Sequence, residues 1–408
     1  MSEYVIIGDG IAGSTAAETL REESDSAEIT VITDEPEPLY NRINIKEYAK
    51  GKMPEEEIRM HDEEWYDEND IDLMLNTRVN RIDNDNSQVI LHNEETVEYD
   101  KLLVAAGGKP WNLPVPHGDA DGIHNFWTFV DSRRIRRDAE EADSGVIVGA
   151  GLLGIDFAYA MGENNVDAKY LMRGDRWWRY GIDKDGAEII HDELRSIGVE
   201  PVFQEGVERF GVDRMGSVEE CVGTSGEVYD CDIAGVCIGL DLNTDLMEGT
   251  EVETNDGIVV DETLQTKDED IYAAGDIAEF YDPITQEYKT NGSWDSAMAQ
   301  GERAAKNMLN PDDAEAFEFV STYSVAHFSM PFISLGSPPM ADTYESRKYG
   351  EKEYRRLCYK DGRLIGAILI GNVRPVGKLT KIIEDKMDIE GHEHELLEEE
   401  IDLASIMA

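Results

Sequence analysis

Cysteine is scarce in this sequence and is absent from its first half. Among 408 residues it occurs four times, as Cys221, Cys231, Cys237 and Cys358, and no two of these form a C-x-x-C or C-x4-C pair. Because a thiolate is the nucleophile in thiol–disulfide exchange, the N-terminal half cannot carry a redox-active dithiol. We expect Cys231 and Cys237, which flank an apolar run, to pack as small apolar side chains.

Basic residues and long apolar runs are also lacking. Lys and Arg number 37 against 88 Asp and Glu, so the formal net charge is −51, which disfavours nucleic acid and anionic membranes as partners. A folded protein with this net charge would repel itself strongly in dilute salt. Because exposed charges are screened within ~3 Å at 1 M salt, we predict a halophilic source. The sequence shows no apolar run of about 18 residues and no signal-peptide pattern, so we expect a cytoplasmic protein that does not bind membranes.

The first forty residues carry a strand, a glycine-rich turn and a helix in succession. An apolar run at residues 4–7 leads into the turn Gly8–Gly13, which reads G-D-G-I-A-G, and a second apolar run spans residues 28–33. Such a βαβ unit binds a dinucleotide, because the glycines let the backbone approach and the helix N-terminus faces the pyrophosphate. An acid after the second strand is placed to bond the ribose hydroxyls. The predicted contacts are Gly8, Gly10, Ile11, Ala12, Gly13, and either Asp34 or Glu35.

The same pattern recurs about 140 residues later. An apolar run at residues 145–148 leads into the turn Gly149–Gly154, which reads G-A-G-L-L-G, and a helical stretch and a strand at residues 168–172 follow. One G-x-G-x-x-G is weak evidence, but two such turns that each follow a strand and open a helix predict two dinucleotide sites. The predicted contacts of the second site are Gly149, Gly151, Leu152, Leu153 and Gly154.

Three further segments resemble one family, the two-dinucleotide-binding-domain flavoproteins of the glutathione reductase superfamily. Residues 266–276, T-x4-I-Y-A-x-G-D, resemble its second FAD motif, in which the aspartate bonds the ribityl chain of FAD. Residues 105–108 resemble its A-T-G crossover segment with Ala for Thr, and residues 239–243 resemble its G-x-x-P-N exit with Leu for Pro. The resemblance covers nearly the whole chain and implies cofactor contacts at Val79, Ala105, Ala106, Gly107, Gly239, Gly275 and Asp276.

Two segments indicate which branch of this superfamily the chain resembles. Residues 40–46, Y-N-R-I-N-I-K, resemble the P-Y-x-R-P-x-L-S-K segment of ferredoxin and rubredoxin reductases and of the flavin-bearing part of nitrite reductases. Residues 294–301 resemble the W-x-x-A-x-x-Q-G segment of oxygenase-coupled ferredoxin reductases. The resemblance therefore implies that Arg42, Lys46 and Trp294 lie near the flavin. A core tryptophan that opens a helix is the alternative interpretation of Trp294.

Asp156 and Lys46 are the predicted catalytic pair. Asp156 lies two residues after Gly154, where many relatives carry a Glu that pairs with a lysine beside flavin N5, and Lys46 is the matching lysine. A cation near N5 favours electron flow into the ring, and its carboxylate partner holds it there. Aspartate is one methylene shorter than glutamate, so direct contact is an open question, and two unrelated surface charges are the alternative.

Arg173 and Arg179 indicate which nicotinamide cofactor is used. NADH enzymes usually place an acid at the end of the second strand of the nicotinamide domain, but this chain has Met172 there, followed by Arg173 and, six residues later, Arg179. The pair resembles the two-arginine pocket of glutathione reductase, and guanidinium groups match the oxygens of a 2′-phosphate. We predict NADPH rather than NADH; the alternative is a solvated basic turn.

The chain is long enough for two to three domains at roughly 150 residues each. We predict an α/β protein with two Rossmann-like domains, for FAD (residues 1–112 and 243–313) and NAD(P)H (residues 113–242), and a small C-terminal α+β domain (residues 314–408). The predicted function is hydride transfer from NAD(P)H to FAD and electron transfer to a small acidic iron–sulfur carrier such as ferredoxin or rubredoxin, without a redox-active disulfide.

Two other functions stay open on the sequence alone. One is NAD(P)H oxidase or diaphorase activity toward oxygen or quinones, and the other is a redox-sensing role in which the reduced flavoprotein binds a partner. The small C-terminal domain often forms a dimer face in relatives, so the resemblance also leaves a homodimer open. No metal site is predicted, because the His-containing tail at residues 391–395 has no further set of ligands.

Overall fold

Residues 2–325 and 327–403 are described by the structure, a computed structural model of the chain. Their packing divides the chain into two units. The first unit comprises the chain up to Asn41, Arg59–Lys109 and Asp241–Ser321, and the second comprises Arg42–Ile58, Pro110–Leu240 and the chain from Thr322 onward. Residues 42–58, which we expected in the FAD domain, therefore pack with the second unit. The three domain boundaries drawn from the sequence stay a prediction.

Strands and helices are numbered in chain order. The first strands are β1 (Glu3–Ile7), β2 (Glu28–Ile32), β3 (Ile71–Met74), β4 (Val79–Asp83), β5 (Gln88–Leu91), β6 (Thr96–Glu98), β7 (Lys101–Val104), β8 (Gly108–Pro110) and β9 (Ile123–His124). The next are β10 (Ser144–Val148), β11 (Asp167–Met172), β12 (Val199–Phe203), β13 (Val207–Val212), β14 (Val218–Gly223), β15 (Val228–Asp230), β16 (Ile233–Val236) and β17 (Leu240–Leu242). The last are β18 (Ile258–Val260), β19 (Ile271–Ala273), β20 (Ala278–Asp282), β21 (Glu287–Lys289), β22 (Thr322–Val325), β23 (Phe332–Gly336), β24 (Thr343–Lys348), β25 (Tyr354–Lys360) and β26 (Arg363–Ile370). The α-helices are α1 (Ile11–Glu23), α2 (Ile45–Ala49), α3 (Glu63–Glu68), α4 (Phe129–Ala139), α5 (Leu152–Glu163), α6 (Lys184–Ser196), α7 (Trp294–Leu309) and α8 (Val376–Glu384).

A five-stranded parallel sheet organises the first unit, in the order β19-β7-β1-β2-β3. Its central strand β1 pairs in register with β2 and β7, and Ile6 lies opposite Val31 on one side and Leu103 on the other. These strands are short apolar runs with almost no exposed side chains, as expected for a parallel sheet that is covered on both faces. Because parallel strands share one carboxyl edge, the turns that follow β1, β7 and β19 open at the same edge.

Helices α1 and α7 pack closely beside this edge. A Cβ built on Gly301 of α7 would lie only 2.1 Å from the Ala12 carbonyl oxygen of α1, so only glycine allows the two backbones to approach this far. Gln300, the preceding residue, accepts a hydrogen bond from the Gly275 N–H at 3.0 Å. These contacts hold α7 against the turns that follow β1 and β19.

The second unit contains another five-stranded parallel sheet, β12-β11-β10-β16-β9, and an antiparallel sheet, β22-β23-β26-β25-β24. Helix α5 follows β10 through the second glycine turn, as α1 follows β1 in the first unit. In the C-terminal segment the five strands β22–β26 come first, and the amphipathic helix α8, whose Leu379, Ile382 and Ile383 are buried, follows them. The predicted α/β fold class, with two Rossmann-like sheets and a mixed C-terminal part, is confirmed.

The cysteines are free thiols. Cys231 packs in an apolar core of the second unit, as expected, and Cys237 is half-buried. Burial raises the pKa of Cys221, Cys237 and Cys358 to about 12, so these thiols are weak nucleophiles near neutral pH. Among the described residues, no helix combines the length and the apolar character that crossing a bilayer needs.

Candidate functional site

The first glycine turn forms an open cradle at the carboxyl edge of the first sheet. Gly8 has a φ of +107° and a built Cβ would lie 2.4 Å from the Ala105 carbonyl oxygen, whereas a Cβ on Gly10 would meet no described atom within 4 Å. Gly10 caps α1 without a side-chain hydrogen bond, and the first turn of this helix, which includes Ile11, Ala12 and Gly13, contains no acid. The N–H groups of the helix N-terminus therefore suit a pyrophosphate.

Asp9 is a residue of this turn that the sequence analysis did not select. Its carboxyl oxygens accept hydrogen bonds from the Tyr66 hydroxyl at 2.7 and 2.9 Å, and its side chain is buried. Burial raises the pKa of Asp9 to about 7, against the opposing hydrogen bond from Tyr66. An acid with this pKa is partly neutral near pH 7, and the neutral form would not repel a phosphate. The sequence signal was present, because an acid stands between the first two glycines.

The other predicted residues of the first unit follow neighbouring strands. Ala105, Ala106 and Gly107 come directly after β7, and Gly107 has a φ of +53°. Gly275 and Asp276 come after β19, and a Cβ built on Gly275 would lie 3.1 Å from the Ala12 Cβ. The structure thus brings these residues together with the first glycine turn. Val79, the first residue of β4, is buried in the core of this unit.

Glu35 and Asp34 lie just beyond the end of β2. Glu35 is half-buried, and its Oε2 accepts a hydrogen bond from the Tyr40 hydroxyl at 2.6 Å, whereas Asp34 is exposed. Of the two acids left open by the sequence, Glu35 is therefore the one whose carboxylate is held in place.

The N-terminus of α7 carries a buried hydroxyl without a protein partner. Ser293 caps α7 without a side-chain hydrogen bond, and its Oγ is buried and unpaired among the described residues. A Cβ on Gly275 would lie 3.8 Å from the Ala297 Cβ in the first turns of α7, so this helix N-terminus adjoins the turn after β19. Trp294, its first residue, is half-buried rather than a core side chain. A polar group of a ligand would satisfy the Ser293 hydroxyl.

The second glycine turn repeats the geometry of the first. Gly149 has a φ of +132° and a built Cβ would lie 2.2 Å from the Cys237 carbonyl oxygen, while a Cβ on Gly151 would meet no described atom within 4 Å. Gly151 caps α5 without a side-chain hydrogen bond, and the first turn, which opens with Leu152, Leu153 and Gly154, contains no acid. The Gly151 carbonyl accepts a hydrogen bond from the Trp177 indole at 3.2 Å, which fixes the turn.

Arg173 directly follows β11, and Arg179 lies six residues further along the segment before α6. Arg173 is exposed and makes no hydrogen bond or ion pair with another described residue. A Cβ on Gly174 would lie 3.1 Å from the Arg179 Cδ, so the Arg179 side chain folds back against Gly174. Its Nη2 donates a hydrogen bond to the Tyr180 hydroxyl at 2.5 Å. Arg176 is engaged as well, because its Nε donates to the Ile182 carbonyl oxygen at 2.9 Å. Both arginines therefore lie in the segment between β11 and α6, and the predicted role of the pair stays a prediction.

Two predicted residues of the second unit, Arg42 and Gly239, contact other residues of that unit. The Arg42 Nη1 donates to the Trp127 carbonyl oxygen at 2.5 Å, and its guanidinium carbon lies 5.1 Å from the centre of the Trp127 ring. Gly239, with a φ of +112°, follows β16 and accepts a hydrogen bond from the Trp111 N–H at 3.0 Å. Their predicted cofactor contacts stay predictions.

Lys46 and Asp156 meet although aspartate is the shorter acid. The Lys46 Nζ of α2 lies 3.4 Å from the Asp156 Oδ1 of α5, and the two side chains are 9% and 10% exposed. The structure therefore brings the predicted pair together as a nearly buried ion pair. At 3.4 Å the contact is longer than the 2.7–2.9 Å that is usual for a charge-assisted hydrogen bond, so another group must help to hold the carboxylate.

His327 is that group, and the sequence analysis missed it. Its Nε2 lies 2.8 Å from the Asp156 Oδ1, and its Nδ1 lies 2.9 Å from the Lys50 Nζ. Lys50 in turn pairs with the Glu47 Oε1 at 2.7 Å, and burial lowers the pKa of Lys50. The His327 side chain is 1% exposed. His327 follows β22, and no spacing in the sequence links it to α2 or α5.

The comparisons with known proteins cover nearly all of the chain. A family model described as pyridine nucleotide-disulphide oxidoreductase matches residues 2–301, and one described as rubredoxin NAD+ reductase C-terminal domain matches residues 325–387. The NADH-rubredoxin oxidoreductase of Clostridium acetobutylicum is 28% identical over 384 residues, which cover 94% of each chain. The NADH oxidase of Methanocaldococcus jannaschii is 31% identical over 314 residues, which cover 74% of this chain and 69% of that one.

A solved structure and two longer relatives complete the comparison. The reductase in a covalent putidaredoxin reductase–putidaredoxin complex shares 23% identity, with a TM-score of 0.92 over 100% of this chain and 98% of that one, and shows the same fold. Two Bacillus subtilis relatives, 25% and 26% identical, align with 97% and 95% of this chain. The chain spans about half of their length, 51% and 48%.

Proposed function

Because the chain belongs to the pyridine nucleotide-disulphide oxidoreductase family, we propose that it transfers a hydride from NAD(P)H to FAD and passes the electrons to an iron–sulfur carrier. The resemblance seen in the sequence is confirmed by this membership, and so is the class of FAD-dependent NAD(P)H oxidoreductase at the level of the family. The observation that carries the proposal is a pair of glycine turns, each opening a helix that lacks a side-chain cap, in a chain with no cysteine before Cys221.

FAD fits the first unit. FAD supplies the acceptor for a hydride and can release two electrons one at a time. The turn Gly8–Gly13 would hold its pyrophosphate, Glu35 its ribose hydroxyls, and Asp276 its ribityl chain. The unpaired Ser293 hydroxyl at the N-terminus of α7 supports the placement of a polar edge of the flavin there, and Trp294 would lie beside the ring.

The second unit would hold the nicotinamide cofactor, and we propose that this is NADPH. The turn Gly149–Gly154 suits a second pyrophosphate. Arg173 has no described partner, and the Arg179 guanidinium bonds the Tyr180 hydroxyl rather than a carboxylate, so a 2′-phosphate would give either group an anion to pair with. The family match implies a pyridine nucleotide and does not distinguish NADPH from NADH.

Lys46 and Asp156 are the proposed catalytic residues. The resemblance assigns Lys46 to the N5 edge of the flavin, where a fixed cation favours electron flow into the ring. Their ion pair is almost buried, so Asp156 keeps the ammonium group in place and shields it from solvent. No protein nucleophile is needed for hydride transfer, in agreement with the weakly nucleophilic thiols.

The proposed electron acceptor is a small acidic iron–sulfur protein such as ferredoxin or rubredoxin. Support comes from the match of residues 325–387 to a rubredoxin reductase C-terminal domain. With a net charge of −51, the reductase would repel an acidic carrier in dilute salt, so we expect turnover to require molar salt. The halophilic source, the cytoplasmic location and the homodimer stay predictions.

A second candidate function is that of an NAD(P)H oxidase, which the similarity to an NADH oxidase favours. One stopped-flow experiment separates the candidates. The FAD-loaded protein is reduced anaerobically with NADPH at molar salt and then mixed with ferredoxin, rubredoxin, oxygen or a quinone. Fast oxidation by an iron–sulfur protein alone supports the proposal, and fast oxidation by oxygen supports the oxidase. Slow oxidation by all acceptors contradicts both and favours a redox-sensing role.

A further inference from the structure

Asp156 is held between three structural elements by a continuous set of polar contacts. Lys46 and Asp156 come from α2 and α5, and His327 comes from the segment after β22. Lys46 and His327 contact the same atom of Asp156. This atom, Oδ1, lies 3.4 Å from the Lys46 Nζ and 2.8 Å from the His327 Nε2. The shorter and better hydrogen bond is the one from the imidazole, so His327 rather than Lys46 fixes the position of the carboxylate.

The imidazole is itself oriented from its other side. Lys50 as an ammonium group has hydrogens only to donate, so the His327 Nδ1 at 2.9 Å must accept. With Nδ1 as acceptor, the ring N–H lies on Nε2, which points at Asp156. Glu47 holds Lys50 at 2.7 Å and lies 3.4 Å from Nδ1, and the Tyr159 ring packs 5.1 Å from the imidazole centre. The ring therefore has one tautomer and little room to turn.

We propose that His327 is a positioning residue that compensates for the short side chain of Asp156. A glutamate at this position would be one methylene longer and could reach Lys46 without help. Here the shorter acid leaves room for an imidazole, and the imidazole holds the carboxylate where it still pairs with Lys46. The inference rests on the proposed function, because it assigns His327 a role in hydride transfer through Asp156 and Lys46.

The test is a double-mutant cycle in the FAD-loaded protein. His327→Ala removes the hydrogen bond to Asp156, and we expect flavin reduction by NADPH to slow about 10- to 100-fold, as small misplacements of catalytic groups do. Asp156→Glu alone should also slow reduction, because the longer acid meets the imidazole. The double variant Asp156→Glu/His327→Ala should recover most of the loss, since glutamate reaches Lys46 in the space that the ring leaves. His327→Gln, which keeps an N–H donor, should lose less than His327→Ala.

Two measurements do not depend on turnover. Nitrogen-15 NMR of histidine-labelled protein should show Nε2 protonated and Nδ1 unprotonated at His327. The reduction potential of the bound flavin should fall in His327→Ala and return in the double variant. The control is His92→Ala, which changes an exposed histidine and should alter neither value. FAD affinity and melting temperature of each variant show whether it has folded.

The outcomes separate the inference from the proposed function. Losses in the double variant that equal the product of the two single losses would overturn the inference, and so would a proton on Nδ1 in the NMR spectrum. If the wild-type protein binds FAD but neither NADPH nor NADH reduces it, the proposed function fails, while the NMR result still decides how His327 is held.

Discussion

Replacing Arg173 with glutamate tests the assignment of the nicotinamide cofactor. Arg173 directly follows β11, is exposed and has no described partner, so the change should leave folding intact. A hydrogen bond to a charged group contributes about 1.5–3 kcal/mol, which corresponds to roughly 10- to 150-fold in affinity. We therefore expect Arg173→Glu to raise the KM for NADPH by at least about tenfold, since the new carboxylate also repels the 2′-phosphate.

The assay compares kcat/KM for NADPH and for NADH with ferricyanide as acceptor, so that docking of a protein carrier plays no part. NADH has no 2′-phosphate, and its kcat/KM should stay within about twofold of the wild type or improve. Salt weakens the effect by screening, so the series includes the lowest salt in which the protein stays folded.

Arg214→Glu is the matched control, because it makes the same charge change at another exposed arginine without a described partner, between β13 and β14. It should change neither cofactor's kinetics. Equal losses with NADPH and NADH in Arg173→Glu would refute the phosphate pocket.

Three further changes test the first glycine turn, the N-terminus of α7 and the buried acid. Gly13→Ala places a Cβ 1.9 Å from the Gly8 carbonyl oxygen, so thermal unfolding should show a loss of about 1–3 kcal/mol and weaker FAD binding; an unchanged melting temperature would contradict the close approach. Ser293→Ala removes the unpaired hydroxyl, and calorimetry should show FAD affinity about fivefold lower if the flavin satisfies it, but no change if it does not. The pKa of Asp9 is raised to about 7 on folding, so the folded state binds more protons and the stability of the apoprotein should fall by up to about 4 kcal/mol as pH rises from about 4 to 7. Asp9→Asn should remove most of this pH dependence in denaturant titrations, and an unchanged slope would assign it to other groups.

The glycine turns were predictable because their chemistry is local. The strand, the turn Gly8–Gly13 and helix α1 are consecutive in the chain, and so are the parts around Gly149–Gly154. The meeting of Lys46 and Asp156 could be proposed only from the resemblance, since 110 residues separate them in the sequence. The distance itself then followed from how α2 packs in the second unit.

The missed residues owe their roles to tertiary packing. His327 lies in a segment with no metal-like or catalytic spacing, and only the fold brings it to Asp156. Nothing in the sequence distinguishes Ser293 from the other serines. The structure does, because its hydroxyl is buried without a partner among the described residues. The raised pKa of Asp9 arises from burial beside Tyr66, which no local pattern predicts. Residues 42–58 carry a motif of the FAD-binding segment, yet they pack with the second unit.

We propose that electrons leave the flavin without a sulfur intermediary, and an anaerobic reductive titration distinguishes this route from one through a dithiol. The FAD-loaded protein is titrated with NADPH, or with dithionite as a check, while the flavin absorbance is followed. One two-electron equivalent per flavin should bleach the absorbance completely, because no dithiol takes up a second pair. A requirement for two equivalents per flavin, or protein that neither binds FAD nor bleaches, would contradict the claim.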